Sequence, residues 1–223
     1  TSGIVGLYSV FGKFAAGLVW RQRVNPVLRQ TFIGTAQMGA VDFANQPAAA
    51  ESSLYYEPGV IELELQQTFD RWVASVGVGY QQWSQYRPRY LTLATRDASG
   101  AERSTTPAVV PMHDTWNPRA SVEWRGWNKW RMSAGYQYRP AAVSDFSQAG
   151  NLLDADTHVT GLSVQREMGE VLFLNNMTLG FYGQAHWMNS RPVVKASDAF
   201  IGSPGYTIGG RGLVFGATLT SEL

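Results

Sequence analysis

Apolar and polar residues alternate along most of this chain in runs of similar length. Residues 61–66 read Ile-Glu-Leu-Glu-Leu-Gln, and residues 130–137 read Trp-Arg-Met-Ser-Ala-Gly-Tyr-Gln. A period of two residues indicates β-strands whose successive side chains point to opposite faces of a sheet. The alternation predicts nine strands, at residues 3–11, 14–24, 58–68, 71–85, 116–126, 129–139, 157–168, 171–188 and 206–222.

The connections between these strands are alternately very short and long. The short turns fall at Gly12-Lys13, Phe69-Asp70, Gly126-Trp127-Asn128 and Gly169-Glu170. Short turns on one rim and long loops on the other are typical of outer-membrane β-barrels, whose short turns face the periplasm. A hairpin inside 27–56, with Leu28–Gly34 and Ser53–Tyr56 as its candidate strands, would add two strands. The long connection 86–115 is polar and contains several prolines, which is compatible with a mobile loop or with a partner-binding cap.

The apolar face can point inward, as in a soluble barrel, or outward to lipid, as in a membrane barrel. Large aromatic residues lie towards the strand ends, as expected at a membrane interface. They are Trp20, Trp72, Trp83, Trp124, Trp130, Tyr138 and Trp187. Strands of this length also exceed the usual five or six residues of soluble sheets. The sequence therefore favours an all-β, transmembrane, antiparallel up-and-down β-barrel.

The strand count is odd, whereas complete bacterial barrels have an even number of strands and both ends in the periplasm. With its first short turn at Gly12-Lys13, the first strand runs inward from the outer surface and the ninth ends in the periplasm. The prediction is that residues 1–223 form the C-terminal part of a single larger barrel, with early strands preceding Thr1.

Composition narrows the function classes. The 223 residues carry a net charge of +1 and no cysteine, so neither nucleic-acid binding nor thiol chemistry is indicated. The three histidines fall in separate segments, and no G-x-S-x-G sequence occurs. The glycine-rich run 205–212 opens a predicted strand instead of preceding a helix, which argues against dinucleotide binding. A non-enzyme without a cofactor is expected.

Several segments carry a resemblance to a known family. Residues 2–24 read SGIVGLYSVFGKFAAGLVWRQRV, residues 73–86 read VASVGVGYQQWSQY, and residues 131–169 contain RMSAGYQY and LDADTH. In this order and spacing they resemble the FadL-like family of outer-membrane transporters of long-chain fatty acids and aromatic hydrocarbons. The resemblance covers nearly the whole chain.

The resemblance implies a complete barrel of about 14 strands, plugged by an N-terminal hatch that lies outside this chain. It implies transport of a hydrophobic, fatty-acid-like small molecule across the outer membrane of a Gram-negative bacterium. The alternative is a FadL-like barrel that does not transport and instead anchors an outer-membrane assembly. Expected partners are membrane lipids, a hydrophobic ligand and outer-membrane proteins, with no nucleic acid.

Charged residues share the predicted polar face of several strands. They are Glu62, Glu64, Arg119, Glu123, Arg125, Lys129, Arg131 and Arg139. Arginine binds carboxylates in bidentate geometry, so these residues could form a track for a carboxylate head group. The alternative is a structural network of ion pairs that fills the barrel interior.

Asp154, Asp156 and His158 alternate before a predicted strand, so an extended backbone would place them on one face. Carboxylate oxygens suit Ca²⁺, which makes them a weak candidate for a metal site. The favoured interpretation is that they order the extracellular rim through hydrogen bonds, so no metal is expected.

Overall fold

A computed structural model describes residues 2–38, 41–86, 91–96, 102–105, 110–126, 129–144, 153–171, 174–195 and 204–222. The described part is almost entirely β-structure, with one 3-10 turn at Trp83–Gln85. Its strands are β1 (Ile4–Phe11), β2 (Phe14–Arg21), β3 (Val27–Met38), β4 (Val41–Ser53), β5 (Val60–Phe69), β6 (Trp72–Gln81), β7 (Leu91–Arg96), β8 (Glu102–Thr105), β9 (Thr115–Arg125), β10 (Trp130–Arg139), β11 (Thr157–Val171), β12 (Leu174–Val194) and β13 (Gly205–Glu222). No helix in these ranges is long and apolar enough to cross a membrane.

Nine strands form one antiparallel sheet in the order β1-β2-β5-β6-β9-β10-β11-β12-β13. Each pairs with the strand that precedes or follows it in this meander, so the nine strands predicted from alternation are confirmed. Among the described strands, β1 pairs only with β2 and β13 only with β12, so the sheet is open at both edges. The architecture is that of a barrel wall.

The long connections contain a second, four-stranded sheet in the order β3-β4-β7-β8. The predicted hairpin within 27–56 is present, and its first strand includes Leu28–Gly34. Its second strand is Val41–Ser53 instead of Ser53–Tyr56. The connection 86–115 also contains β7 and β8, and Leu93 of β7 pairs with Ala50 of β4. That pairing links distant segments, which local alternation cannot reveal.

Two short turns differ from the predicted positions. The turn after β5 is Asp70-Arg71, one residue later than expected, and Asp70 has a φ of 41°. β11 continues past Gly169 to Val171, with register shifts on either side of Gly169, whose φ is 74°. Gly169 therefore forms a β-bulge within the strand and not the hairpin turn. Trp127 and Asn128 of the third predicted turn lie outside the described residues.

One face of the sheet is mainly apolar, and the other is mainly polar from β5 to β11, because strand register aligns like residues across neighbours. Leu18 of β2 lies opposite Leu63 of β5, which lies opposite Val78 of β6. Large apolar side chains on this face stay exposed, for example Leu162 (68%) and Phe215 (75%). Exposed apolar surface of this extent is expected where a sheet contacts lipid.

A small hydrophobic core lies at the end of the sheet that carries the long connections. It consists of Val110, Val143, Ala155, Val193 and Ile208. Tyr86, Met112, Met188 and Tyr206 pack against it. These residues come from the loop before β9, the loop between β10 and β11, and the ends of β12 and β13. The core therefore ties the long connections to the rim of the wall.

Candidate functional site

Several cavities of the described part lie along the polar face, which therefore forms the concave inner wall. One cavity of about 250 Å³ is lined by side chains of this face, including Glu64, Ser75, Arg119, Gln137 and Gln184. These residues come from β5, β6, β9, β10 and β12, and strand register places them side by side. The inner wall is the candidate functional site because it combines concavity with polar groups.

Arg119 forms the centre of the charged network on this wall. Its guanidinium donates to Oε2 of Glu64 at 2.8 Å and to Oε2 of Glu62 at 3.4 Å. The Arg119 side chain is 31% exposed, and the two carboxylates are more exposed. One cation between two carboxylates leaves this group with a formal charge of −1. The sequence placed all three residues on one face, and the structure brings them into contact.

Arg119 reaches Glu64 by crossing β6 at a glycine. Gly77 lies opposite Glu64 on one side and opposite Arg119 on the other. A Cβ atom at Gly77 would lie 3.0 Å from both Arg119 Nε and the Leu63 carbonyl oxygen. The missing side chain thus provides the space in which the guanidinium lies, which is a common role of glycine within a strand.

Other predicted network residues form separate pairs towards the short turns. Arg125 Nε donates to Glu123 Oε1 at 2.7 Å. Arg131 donates to Glu167 of β11. Glu167 was missed as a network residue in the sequence, although its alternation with Gln165 on the same face would have identified it.

The remaining two predicted residues do not join these pairs. Arg139 donates to Oε1 of Gln137 at 2.9 Å. Lys129 lies just before β10 with a φ of 62°. The eight predicted residues therefore do not form one continuous track. Three belong to the Arg119 group, two pair within β9, Arg131 contacts β11, and Arg139 and Lys129 lie outside these pairs.

Between the charged groups the inner wall carries small side chains. Ser75 and Ser121 share a hydrogen bond of 2.7 Å, and Ser133 and Ser163 share another of 2.7 Å. Each bond joins neighbouring strands on the inner face. Small hydroxyl side chains that satisfy each other leave open space and present few free polar groups to a passing molecule.

Two of the three predicted metal candidates, the carboxylates, accept hydrogen bonds from backbone amides. Asp154 Oδ2 accepts from the N–H groups of Ala142 at 2.7 Å and Val143 at 2.6 Å. Asp156 Oδ1 accepts from the N–H of Ala141 at 2.8 Å. Both carboxylates therefore hold the start of the β10–β11 connection at the rim.

His158 lies on the apolar face of β11, opposite Tyr138 of β10. Its Nδ1 lies 2.7 Å from the Tyr136 hydroxyl, and its ring lies 5.2 Å from the Tyr138 ring. Within the described ranges, no three His, Cys, Asp or Glu side chains form a group that could hold a metal ion.

A third carboxylate at this rim was not predicted from the sequence. Asp114 accepts hydrogen bonds from the Tyr80 hydroxyl and from the Ser84 N–H, the latter at 2.8 Å. Burial acts to raise the pKa of Asp114, but these hydrogen bonds outweigh it and the pKa lies below its usual value. Asp114 thus anchors the segment after β6 to the start of β9. An isolated acidic residue before a strand carries no sequence signal of such a role.

We expect the rim to weaken in acid through Asp156. The Ala141 N–H is the main cause that lowers the pKa of Asp156 below its usual 3.8; burial acts in the opposite direction, and the Tyr138 hydroxyl assists the lowering. A carboxyl whose pKa is lower in the folded chain stabilises the fold above its unfolded pKa, and this stabilisation is lost as pH falls through the folded pKa.

The measurement is the unfolding midpoint of the wild type and of Asp156→Asn between neutral pH and pH ~3. Below pH ~4 the wild type should lose more stability than the variant, so the two midpoints should converge. Parallel curves over the whole range would show that ionisation of Asp156 does not stabilise the rim.

Comparison with solved structures shows what this wall is similar to. A FadL homologue from Pseudomonas aeruginosa matches with a TM-score of 0.63 and 13% identity, over 97% of this chain and 50% of that chain. The CymD monoaromatic hydrocarbon channel matches with a TM-score of 0.54 and 14% identity, over 84% of this chain and 46% of that chain. No family model matches the sequence, and neither does any curated protein.

These matches define the class of the fold as a β-barrel of the FadL type. The resemblance to the FadL-like family is thus confirmed as a likeness of fold, and this chain spans about half the length of the two matched structures. The two matched structures are a FadL homologue and a channel. This is compatible with the expectation that the protein is not an enzyme.

Proposed function

We propose that this protein is part of a FadL-like barrel that carries hydrophobic small molecules across a bacterial outer membrane. The observation that supports the proposal most strongly is a nine-stranded antiparallel wall with an apolar outer face and a polar, concave inner face. This arrangement suits a sheet between lipid and an internal passage. The fold likeness to the CymD hydrocarbon channel supports the same function.

The open edges of the sheet fit a barrel completed by further strands. An unpaired edge leaves backbone N–H and C=O groups without partners, which lipid cannot supply. The two matched structures are about twice as long as this chain. We therefore propose that residues 1–223 form one part of the wall and that additional strands pair with β1 and β13.

The charge pairs on the inner wall favour an uncharged cargo over a carboxylate. Arg119 is already held by Glu62 and Glu64, and Arg125 and Arg131 each contact a carboxylate. At these three arginines a fatty-acid head group would have to displace a carboxylate partner, and at Arg119 it would approach a group with excess negative charge. Within the proposed class, a neutral hydrocarbon meets no such penalty, and burial of its apolar surface drives binding.

The scaffold alternative lacks a specific observation in its favour. A scaffold would be supported by an inner wall filled with side chains, whereas the inner wall in the described ranges carries cavities and glycines. Passive transport needs such space, because cargo must bind and then leave.

The test compares initial uptake of radiolabelled naphthalene and oleate by intact cells with and without the full-length gene. We expect the gene to raise naphthalene uptake more than oleate uptake. Cells that express an unrelated barrel at the same level control for membrane leakage. Equal uptake of both compounds in all three strains would contradict transport, and the scaffold would then be the remaining candidate function.

A further inference from the structure

The inner wall carries a second cavity at the end where the long connections lie. Its volume is about 410 Å³, and apolar atoms dominate its lining. The lining includes Leu153, His186, Met188, Gly210 and Gly212. Arg211 also contributes, but it pairs with Trp187 and therefore belongs to the opposite face of the sheet from Met188. None of these residues belongs to the charged network, so this cavity is separate from the cavity beside Arg119.

Strand register explains why a cavity forms there. Met188 of β12 lies opposite Thr157 on β11 and opposite Gly210 on β13. His186, two residues earlier, lies opposite Gly212. Residues opposite one another share a face, so two glycines of β13 leave open the space next to the Met188 and His186 side chains.

A bulge fixes this geometry. The pairing of β12 with β13 shifts between Met188 and Arg191, where Asn189 and Ser190 together face Gly209. A Cβ at Gly209 would lie 3.2 Å from the Ser190 Cα, so the bulged backbone approaches β13 closely. A β-bulge re-aims side chains next to functional sites. Here the bulge begins at the residue that follows Met188 in β12.

The cavity is preformed and suited to an apolar guest. Ile208 is 3% exposed and belongs to the hydrophobic core, and Met188 packs against that core. Both residues also line the cavity. Leu153, which also lines the cavity, is 76% exposed. Ligand pockets are typically apolar with few polar groups and span roughly 300–1,000 Å³. This cavity lies at the small end, which fits one or two fused rings.

We propose that this cavity, named here the β12–β13 pocket, binds a neutral one- or two-ring hydrocarbon at the mouth of the barrel. The proposal deepens the transport function proposed above and rests on it. The pocket would hold cargo between the outer rim and the inner wall. Methionine is a soft, adaptable side chain that makes favourable contacts with aromatic rings, so Met188 is its main contact residue.

Gly210 allows the pocket to be filled without disturbing the wall. A Cβ at Gly210 would have no protein atom within 4 Å. The substitution Gly210→Leu therefore places a side chain in the pocket space and clashes with nothing on the backbone. Ala217→Leu is the matched control, because Ala217 lies on the same strand but on the opposite, exposed face.

The experiment follows the methionine methyl groups by NMR in the full-length protein with carbon-13-labelled methionine, titrated with naphthalene in detergent. Met188 reports on the pocket, and its signal is assigned with Met188→Leu. Met132, 48% exposed on the apolar face, reports on naphthalene dissolved in the surrounding detergent. We expect a saturable shift of the Met188 signal, no saturable shift of Met132, and loss of the Met188 response in Gly210→Leu but not in Ala217→Leu.

Two results would overturn the pocket. One is a shift that grows linearly and equally for Met188 and Met132; the other is an unchanged Met188 response in Gly210→Leu. Because this experiment measures binding, its failure is distinct from failure of transport. Uptake of naphthalene without a saturable Met188 shift would contradict the pocket and support transport. A saturable Met188 shift without uptake would support the pocket and contradict transport.

Discussion

Replacing Leu162 with arginine should lower the free energy of unfolding in a lipid bilayer by about 2–4 kcal/mol. Leu162 is 68% exposed on the apolar face and lies opposite Ala134, near the middle of β10. If this face contacts lipid, the substitution places a charge near the middle of the membrane, where arginine on a barrel wall is most costly. Equilibrium denaturant unfolding of the full-length protein in vesicles measures the change.

The matched control is Gln184→Arg. Gln184 is an exposed residue of the polar inner face and lies opposite Gly161 on the neighbouring strand. There the added charge can remain hydrated, so we expect a change of less than about 1 kcal/mol. If both variants lost equal stability, or if Gln184→Arg lost more, the apolar face would not be the lipid face and the membrane orientation would be wrong.

The second large effect is expected at Gly77. Gly77→Val should destabilise the protein by about 2 kcal/mol, within the range found when a well-packed site is overfilled. The added Cβ would lie 3.0 Å from a fixed backbone oxygen of Leu63 and from Nε of Arg119. Arg119 would have to leave Glu64, so two carboxylates would lose their shared cation. Unfolding midpoints of wild type and variant measure the loss.

Gly79→Val provides an unusually close comparison. Gly79 lies two residues further along β6 on the same face, and its Cβ would meet Glu62 Cγ at 3.7 Å, an ordinary contact distance. Valine is also favoured in strands. We expect Gly79→Val to be nearly neutral. Equal losses in the two variants would mean that general removal of glycine from β6, and not the path of Arg119, determines stability.

Local alternation was sufficient to predict the wall. In a strand, successive side chains point to opposite faces whatever the neighbouring strands do, so the order of residues 61–66 already separates the apolar face from the polar face. Glu62, Glu64 and Arg119 were placed on one face for the same reason. The turns were less accurate, since Gly169 could be either a turn or a bulge by sequence alone.

Contacts between residues on different strands required the tertiary structure. Register decided that Arg119 crosses Gly77 to reach Glu64, because the pairing of β5, β6 and β9 joins residues far apart in sequence. His158 shows the same limit. Alternation placed it with Asp154 and Asp156 as a metal candidate, whereas the carboxylates instead accept backbone N–H groups.

The sequence by itself determined the nine strands of the wall and their two faces, because both depend on a period of two within one segment. It also determined the class of fold, because the short and long connections alternate along the chain. Tertiary structure decided the second sheet, the partners of the inner-wall charges and the β12–β13 pocket. The pocket illustrates the reason. In the sequence, Gly210 and Gly212 are part of an ordinary glycine-rich run. They line a cavity only because strand pairing places them beside Met188 and His186.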